Sequence, residues 1–204
     1  MAISPPRLKR PTPTYAIAEL FPMQGDWTEE EYLALDTNRL IELSDGKLET
    51  LPMPSDFHQL ISGRLFAALF AFVTAKRLGQ VRYAPLRVRL GPGKFREPDL
   101  VFVAAAHDDR RGKQYWQPPD LVVEVISPDD PRRDRVVKRR EYAQAGIPEY
   151  WLIDPEAATV EVHLLQGQGY KLAETLQSGD ELTSAQVPGW GLVVAELFKA
   201  ADEM

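Results

Sequence analysis

There is no cysteine among the 204 residues. That excludes disulfides and thiolate metal sites, and it fits a reducing interior, so a cytoplasmic location is expected. Nor is there a surplus of positive charge. Lys and Arg number 24 against 30 Asp and Glu, a formal net charge of −6. Binding to nucleic acid, if any, then has to come from a local basic patch rather than from the field of the whole chain. No secretory signal is visible. Met1 to Tyr15 carries Arg7, Lys9 and Arg10 but is broken by prolines and lacks an apolar centre. The most apolar stretch, Phe57 to Val73, is interrupted by His58, Gln59, Ser62 and Arg64, which reads as too short and too polar for a membrane span, so no membrane is expected as a partner. No internal repeat and no second domain are evident.

What remains is the composition of an ordinary globular chain, 44% hydrophobic and 26% charged, long enough for one sizeable core. Residues 1–14, with Pro5, Pro6, Pro11 and Pro13, read as a disordered tail, and residues 15–204 as one domain. Thr28 with Glu31 forms a capping-box pattern and predicts a short helix to about Leu35. Two strand-like runs around Ser44-Asp45-Gly46 predict a hairpin. Phe57, Leu60, Ile61, Leu65, Ala68, Leu69 and Phe72 recur at helical spacing, predicting a helix capped by Ser55 or Asp56 and ended by Gly79. Strands are expected at 81–83 and 86–90, then a Gly91–Lys94 turn leading into a strand that begins at Asp99. A helix at about 132–145, a buried strand at 149–154, a hairpin around 167–169 and a closing strand or short helix at 190–200 complete the reading. The fold class expected is α+β, or mixed α/β: a core sheet flanked by helices, an N-terminal β-hairpin and β additions at the C-terminus. The crossover from the Glu124 strand to the Tyr150 strand should be parallel and right-handed.

The most informative residue is Glu124, in the apolar run Leu121-Val122-Val123-Glu124-Val125-Ile126. Bounded by Pro118-Pro119 and Ser127-Pro128, this run reads as a strand buried on both faces. An ionised carboxylate there costs several kcal/mol unless something pairs with it. A hard cation is an economical partner, and Asp99, following Pro98 at a strand start, is a candidate for a second carboxylate on the same ion. Asp134, Lys138 and Tyr142 lie four apart on one helical face, and Lys138 can lean over the strand end to orient a metal-bound water. Arg132, Arg133, Arg135 and Arg139 give that helix a small basic surplus suited to phosphates.

Pro98-Asp99, Pro119 to Pro128, Arg133-Asp134-Arg135 with Lys138 and Tyr142, and Gly146 to Pro155 together resemble the Uma2 family of restriction-endonuclease-like proteins, within the PD-(D/E)XK nuclease superfamily. The resemblance runs from about Thr28 to Phe198. It implies a restriction-endonuclease-like core in which Asp99, Glu124 and the Val125 carbonyl bind Mg²⁺ or Mn²⁺. The lysine usual two residues after the glutamate is replaced by Ile126, and the resemblance implies that Lys138 serves instead. An accessory group would come from His58 or Gln59 at the start of the first long helix, or from Glu42 in the hairpin. The function so implied is a metal-dependent endonuclease hydrolysing DNA. Two alternatives stand beside it: a nucleic-acid-binding module on the same fold, and an assembly protein in which Glu124 belongs to a structural ion pair. Cutting two strands takes two sites or two visits, so a homodimer is the expected assembly.

Overall fold

In the computed structural model of the protein, residues 21–199 are described, apart from Asn38 and Asp129. The tail expected at 1–14 lies outside the described residues.

Helix α1 (Glu29–Leu33) begins at a capping box, both halves of which form between Thr28 and Glu31. Strands β1 (Ile41–Ser44) and β2 (Lys47–Thr50) are joined by Asp45 and Gly46, both at positive φ, the tight turn that the Asp-Gly pair favours. Tyr32 of α1 and Leu43 of β1 form a small core with Phe95. Helix α2 (Asp56–Lys76) is capped by Ser55, whose side chain accepts from the His58 amide. It ends on Arg77 in the left-handed region, not on Gly79 as expected. Gly79 instead opens β3 (Gly79–Tyr83), where a Cβ would fall 2.0 Å from the Val103 carbonyl oxygen, so only glycine lets this strand lie so close to its neighbour.

After β3 come β4 (Val88–Gly91) and β5 (Lys94–Arg96). The sequence places β5 within the turn into the Asp99 strand. It forms a separate strand because its backbone pairs with both β1 and β4, completing a four-stranded sheet ordered β2-β1-β5-β4. Strand β6 (Leu100–Ala104) follows, then a 3-10 segment (Ala105–Arg110), then β7 (Leu121–Val125). The next helix is divided: a π-helical segment (Arg133–Lys138) runs into α3 (Arg139–Gln144). Strands β8 (Glu149–Asp154), β9 (Thr159–Gln166) and β10 (Gly169–Leu176) follow, and then the short pair β11 (Glu181–Thr183) and β12 (Gly191–Val193) and helix α4 (Ala195–Phe198).

The main sheet runs β10-β9-β8-β7-β6-β3. Only β7 and β8 are parallel, as the intervening helix requires; the other pairs are antiparallel. Each face of this mixed sheet is covered, which is why β7 reads as nearly continuous apolar sequence. On one face Leu121, Val123 and Val125 pack against Ile61, Leu65, Leu69 and Val73 of α2 and against Trp190 and Leu197. On the other, Val122 and Ile126 pack against Tyr142, Tyr150 and Trp116. By length and composition alone α2 is long and apolar enough to cross a membrane, longer than the stretch from Phe57 to Val73 led one to expect. Its buried side chains lie in the sheet's own core, which is the role of a core helix.

Candidate active site

Strand register brings the first two groups together. Leu100 pairs with Val123, Val101 with Val122 and Phe102 with Leu121. One more step along this antiparallel ladder sets Asp99 opposite Glu124, and residues so opposed project to the same face. That is the face covered by the π-helical segment and α3, and both carboxylates line one cavity of about 360 Å³.

Asp99 is held from two sides. The Val125 amide donates to its Oδ2 at 2.7 Å, and His58 Nε2 lies 2.9 Å from its Oδ1. His58 reaches this point because the first turn of α2 abuts the end of β6. Gln59 is exposed on the same rim. Val125, expected to offer its carbonyl, reaches Asp99 with its N–H.

Glu124 is 2% exposed. Lys138 Nζ lies 2.9 Å from its Oε2 and 3.1 Å from Asp134 Oδ1, and the Tyr142 hydroxyl donates to Glu124 Oε1. Residues 134, 138 and 142 therefore act as one face. The sequence puts Asp134 and Tyr142 on that face with Lys138 but gives them no place in the site; their fourfold spacing is the signal that could have done so. One ammonium here confronts Glu124, Asp134 and Asp99. Burial pushes the Glu124 carboxyl up to about 8; Lys138 pulls the other way, and the charges of Asp134 and Asp99 add to the rise. Burial alone would lower Lys138, yet Glu124 and Asp134 raise it, so the ammonium stays charged. Burial and the neighbouring carboxylates thus favour the neutral form of Glu124, and Lys138 the charged form.

Glu42 stands a layer behind. It is fully buried in the hairpin, accepts from the Glu97 amide at 2.9 Å and from Arg96 Nη1 at 2.9 Å, and is paired with Arg133. Burial opposes its ionisation, but Lys138, Arg96 and Arg133 hold its carboxyl below the usual range. Glu97 has no signal in the sequence beyond preceding Pro98. It lines the cavity, and burial, with the charge of Glu42, pushes it up to about 7.

The four arginines separate. Arg132 is exposed and Arg133 lines the cavity while bonded to Glu49 at 2.6 Å. Arg135 is paired with Asp154 and Glu161, and Arg139 donates to the Tyr170 carbonyl at 2.8 Å. Three of the four are therefore engaged within the protein rather than presented as a basic patch.

These shifts predict a pH dependence. Glu124 and Glu97 have folded-state values raised to about 8 and about 7, so between pH 4.5 and 8 the folded state binds more protons than the unfolded. Stability of metal-free protein should be highest near pH 5 and fall by a few kcal/mol as pH rises to about 8. Urea unfolding in EDTA across that range checks it, and Glu124→Gln should remove most of the slope. A flat profile would contradict the assignment.

A divalent cation is tested by the donors present. Among the described residues, no group of three or more His, Cys, Asp and Glu gathers closely enough to hold a metal ion. Of the five carboxylates that line the cavity, Glu97, Asp99, Glu124, Asp130 and Asp134, strand register sets Asp99 and Glu124 side by side, and that pair fits Mg²⁺, which commonly takes one or two carboxylates and keeps several waters.

Comparison with known proteins agrees with this architecture. The family model Uma2, described as "Putative restriction endonuclease", matches residues 29–195. A solved structure described as a "putative nuclease belonging to DUF820" from Anabaena variabilis superposes with a TM-score of 0.70 at 24% identity, covering 84% of this chain and 97% of that one. That likeness shows the fold. No curated protein matches the chain.

Proposed function

The chain belongs to the Uma2 family, and from that premise we propose that it is a metal-dependent endonuclease that hydrolyses DNA phosphodiester bonds at the cavity between Asp99, Glu124 and Lys138. The observation that carries the reading is the meeting of a strand-end aspartate, a buried strand glutamate and a helix lysine 2.9 Å from that glutamate.

Asp99, Glu124 and the Val125 carbonyl would hold Mg²⁺ or Mn²⁺. The ion supplies, when bound, a Lewis acid that neutralises the scissile phosphate and acidifies a water. The chain's own residues do the rest. His58 and the Val125 amide fix the Asp99 carboxylate in one orientation, so it need not reorganise during reaction. Lys138, anchored by Asp134, keeps an ammonium where negative charge develops on the phosphorane oxygens. Tyr142 orients Glu124 from behind. Arg132 meets backbone phosphates at the mouth; Arg133, Arg135 and Arg139 would do so only by leaving their partners.

Purified protein should cut DNA, offered both as single-stranded circles and as plasmid, with Mg²⁺ or Mn²⁺ and not in EDTA. Asp99→Asn and Glu124→Gln should each reduce this to background while leaving the circular dichroism spectrum unchanged. Cleavage surviving in both variants would overturn the reading. Ile126, in the position where the superfamily carries lysine, favours a second reading, a nucleic-acid-binding module without cleavage. It predicts salt-dependent DNA binding and no nicking with any divalent metal.

A further inference from the structure

The cavity is lined by two unlike sets of side chains. Asp99, Glu124, Lys138 and Asp134 are one; the other is apolar, Leu40 with the consecutive run Leu51, Pro52, Met53 and Pro54. Phosphate chemistry explains the first and not the second. Met53 is 88% exposed, a large apolar side chain kept in water. At about 360 Å³ the space lies at the small end of ligand pockets, which run from roughly 300 to 1,000 Å³, far too small to admit a duplex. A second cavity of about 240 Å³ adjoins it, sharing Ser55, His58 and Pro128 and lined by Phe57, Ile126 and Pro155. The two meet at His58, the partner of Asp99. Lining the first is Glu97, 7% exposed, with Arg87 Nε 3.7 Å from its Oε1 and with Oε2 buried and without a hydrogen-bond partner among the described residues.

We propose, resting on the nuclease reading, that the substrate is single-stranded DNA. One unpaired nucleobase enters the larger cavity against Leu51 and Met53, Glu97 accepts from its exocyclic amino group, and the next nucleotide lies in the smaller cavity beside Phe57. Apolar side chains grip a base through its faces without regard to sequence, whereas a carboxyl oxygen accepts from an amino group that cytosine carries and thymine lacks. The scissile phosphate between the two nucleotides then falls at Asp99.

The test is fluorescence anisotropy with the full chain in EDTA, using labelled oligo-dC, oligo-dT and an oligo-dC·oligo-dG duplex. Oligo-dC should bind at least about tenfold more tightly than the duplex and severalfold more tightly than oligo-dT. Met53→Ser, at an exposed position, removes the apolar contact without adding charge and should weaken oligo-dC binding severalfold while leaving duplex binding as it was. Glu97→Leu, which removes both acceptor oxygens, should level oligo-dC and oligo-dT. Duplex binding as tight as oligo-dC, equal binding of the two single strands, or an unchanged Met53→Ser would overturn the proposal. Because no cleavage is read, its failure is distinct from that of the nuclease reading, which cleavage of single-stranded circles and of plasmid by wild type, Asp99→Asn and Glu124→Gln decides.

Discussion

Arg96→Ala is expected to destabilise the protein by about 3–5 kcal/mol, the range seen when one partner of a buried ion pair is removed. Arg96 is 1% exposed and is the cation for three carboxylates on three elements. Its Nε and Nη2 donate to the two oxygens of Glu141 at 2.7 and 3.0 Å, and its Nη1 donates to Glu42 at 2.9 Å and Glu49 at 2.7 Å. Burial alone would lower its pKa, but Glu141, Glu42 and Glu49 raise it, so the charge is permanent. Alanine would leave three carboxylates, Glu42, Glu49 and Glu141, to two cations, Arg133 and Lys94, a deficit of one positive charge beside the buried Glu42 and Glu141. Arg96→Met should cost nearly as much, because the loss is of charge compensation and not of volume. Arg96→Lys should recover only part, since an ammonium cannot present the planar fork that Glu141 grips. Urea midpoints at fixed ionic strength check the series, and high salt should not rescue the alanine variant because the pairs are shielded from solvent. A loss below about 1 kcal/mol would mean that the hairpin and helix hold together without this arginine.

The position of Arg96 explains what the sequence conceals. Lys94-Phe95-Arg96 follows a glycine-proline turn and is too short to show a period, so β5 reads as part of that turn. Its identity as a strand depends on β1 and β4, residues distant in the chain. The carboxylates it gathers are scattered at 42, 49 and 141, and nothing local ties a hairpin glutamate to a helix glutamate. Signals are legible where the physics is local. The Thr28–Glu31 capping box, the Asp45-Gly46 turn and the Ser55 cap all form. Glu124 stands out because a carboxylate in a β-branched run is costly wherever the strand lies. Asp134 and Tyr142 announce themselves by spacing, but only the strand register shows what their face meets. The π-helical segment at Arg133–Lys138 has no sequence signal that we can name; by its periodicity the helix reads as one regular element. Helix α2 ends earlier than expected because Arg77 takes up the left-handed conformation, which leaves Gly79 free for the close approach to Val103.

Lys138→Met is expected to slow phosphodiester cleavage by about 10²–10³-fold, the loss that follows removal of one preorganised group from a developing oxyanion. The protein should nonetheless remain folded at neutral pH. Lys138 is the group that most opposes protonation of Glu124. Without it the Glu124 carboxyl rises further and stays neutral, hydrogen-bonded to Tyr142, so that no uncompensated charge is left in the strand. Asp134, also raised by burial, follows the same course. The cost therefore appears on raising the pH, when both carboxyls are forced to ionise beside methionine. Unfolding in EDTA should show the variant losing stability more steeply than wild type above neutrality, and nearly matching it at pH 5. Single-turnover cleavage at saturating DNA separates the rate from binding: the rate constant should fall while the dissociation constant moves little, because phosphate contacts at the mouth do not involve Lys138. Lys138→Arg should not restore the rate, since a guanidinium fork does not fit between Glu124 Oε2 and Asp134 Oδ1, which lie 2.9 and 3.1 Å from the ammonium, without displacing one of them. A methionine variant cleaving within about threefold of wild type would reduce Lys138 to a counterion of the buried carboxylates and move the search for the charge-stabilising group to Arg133.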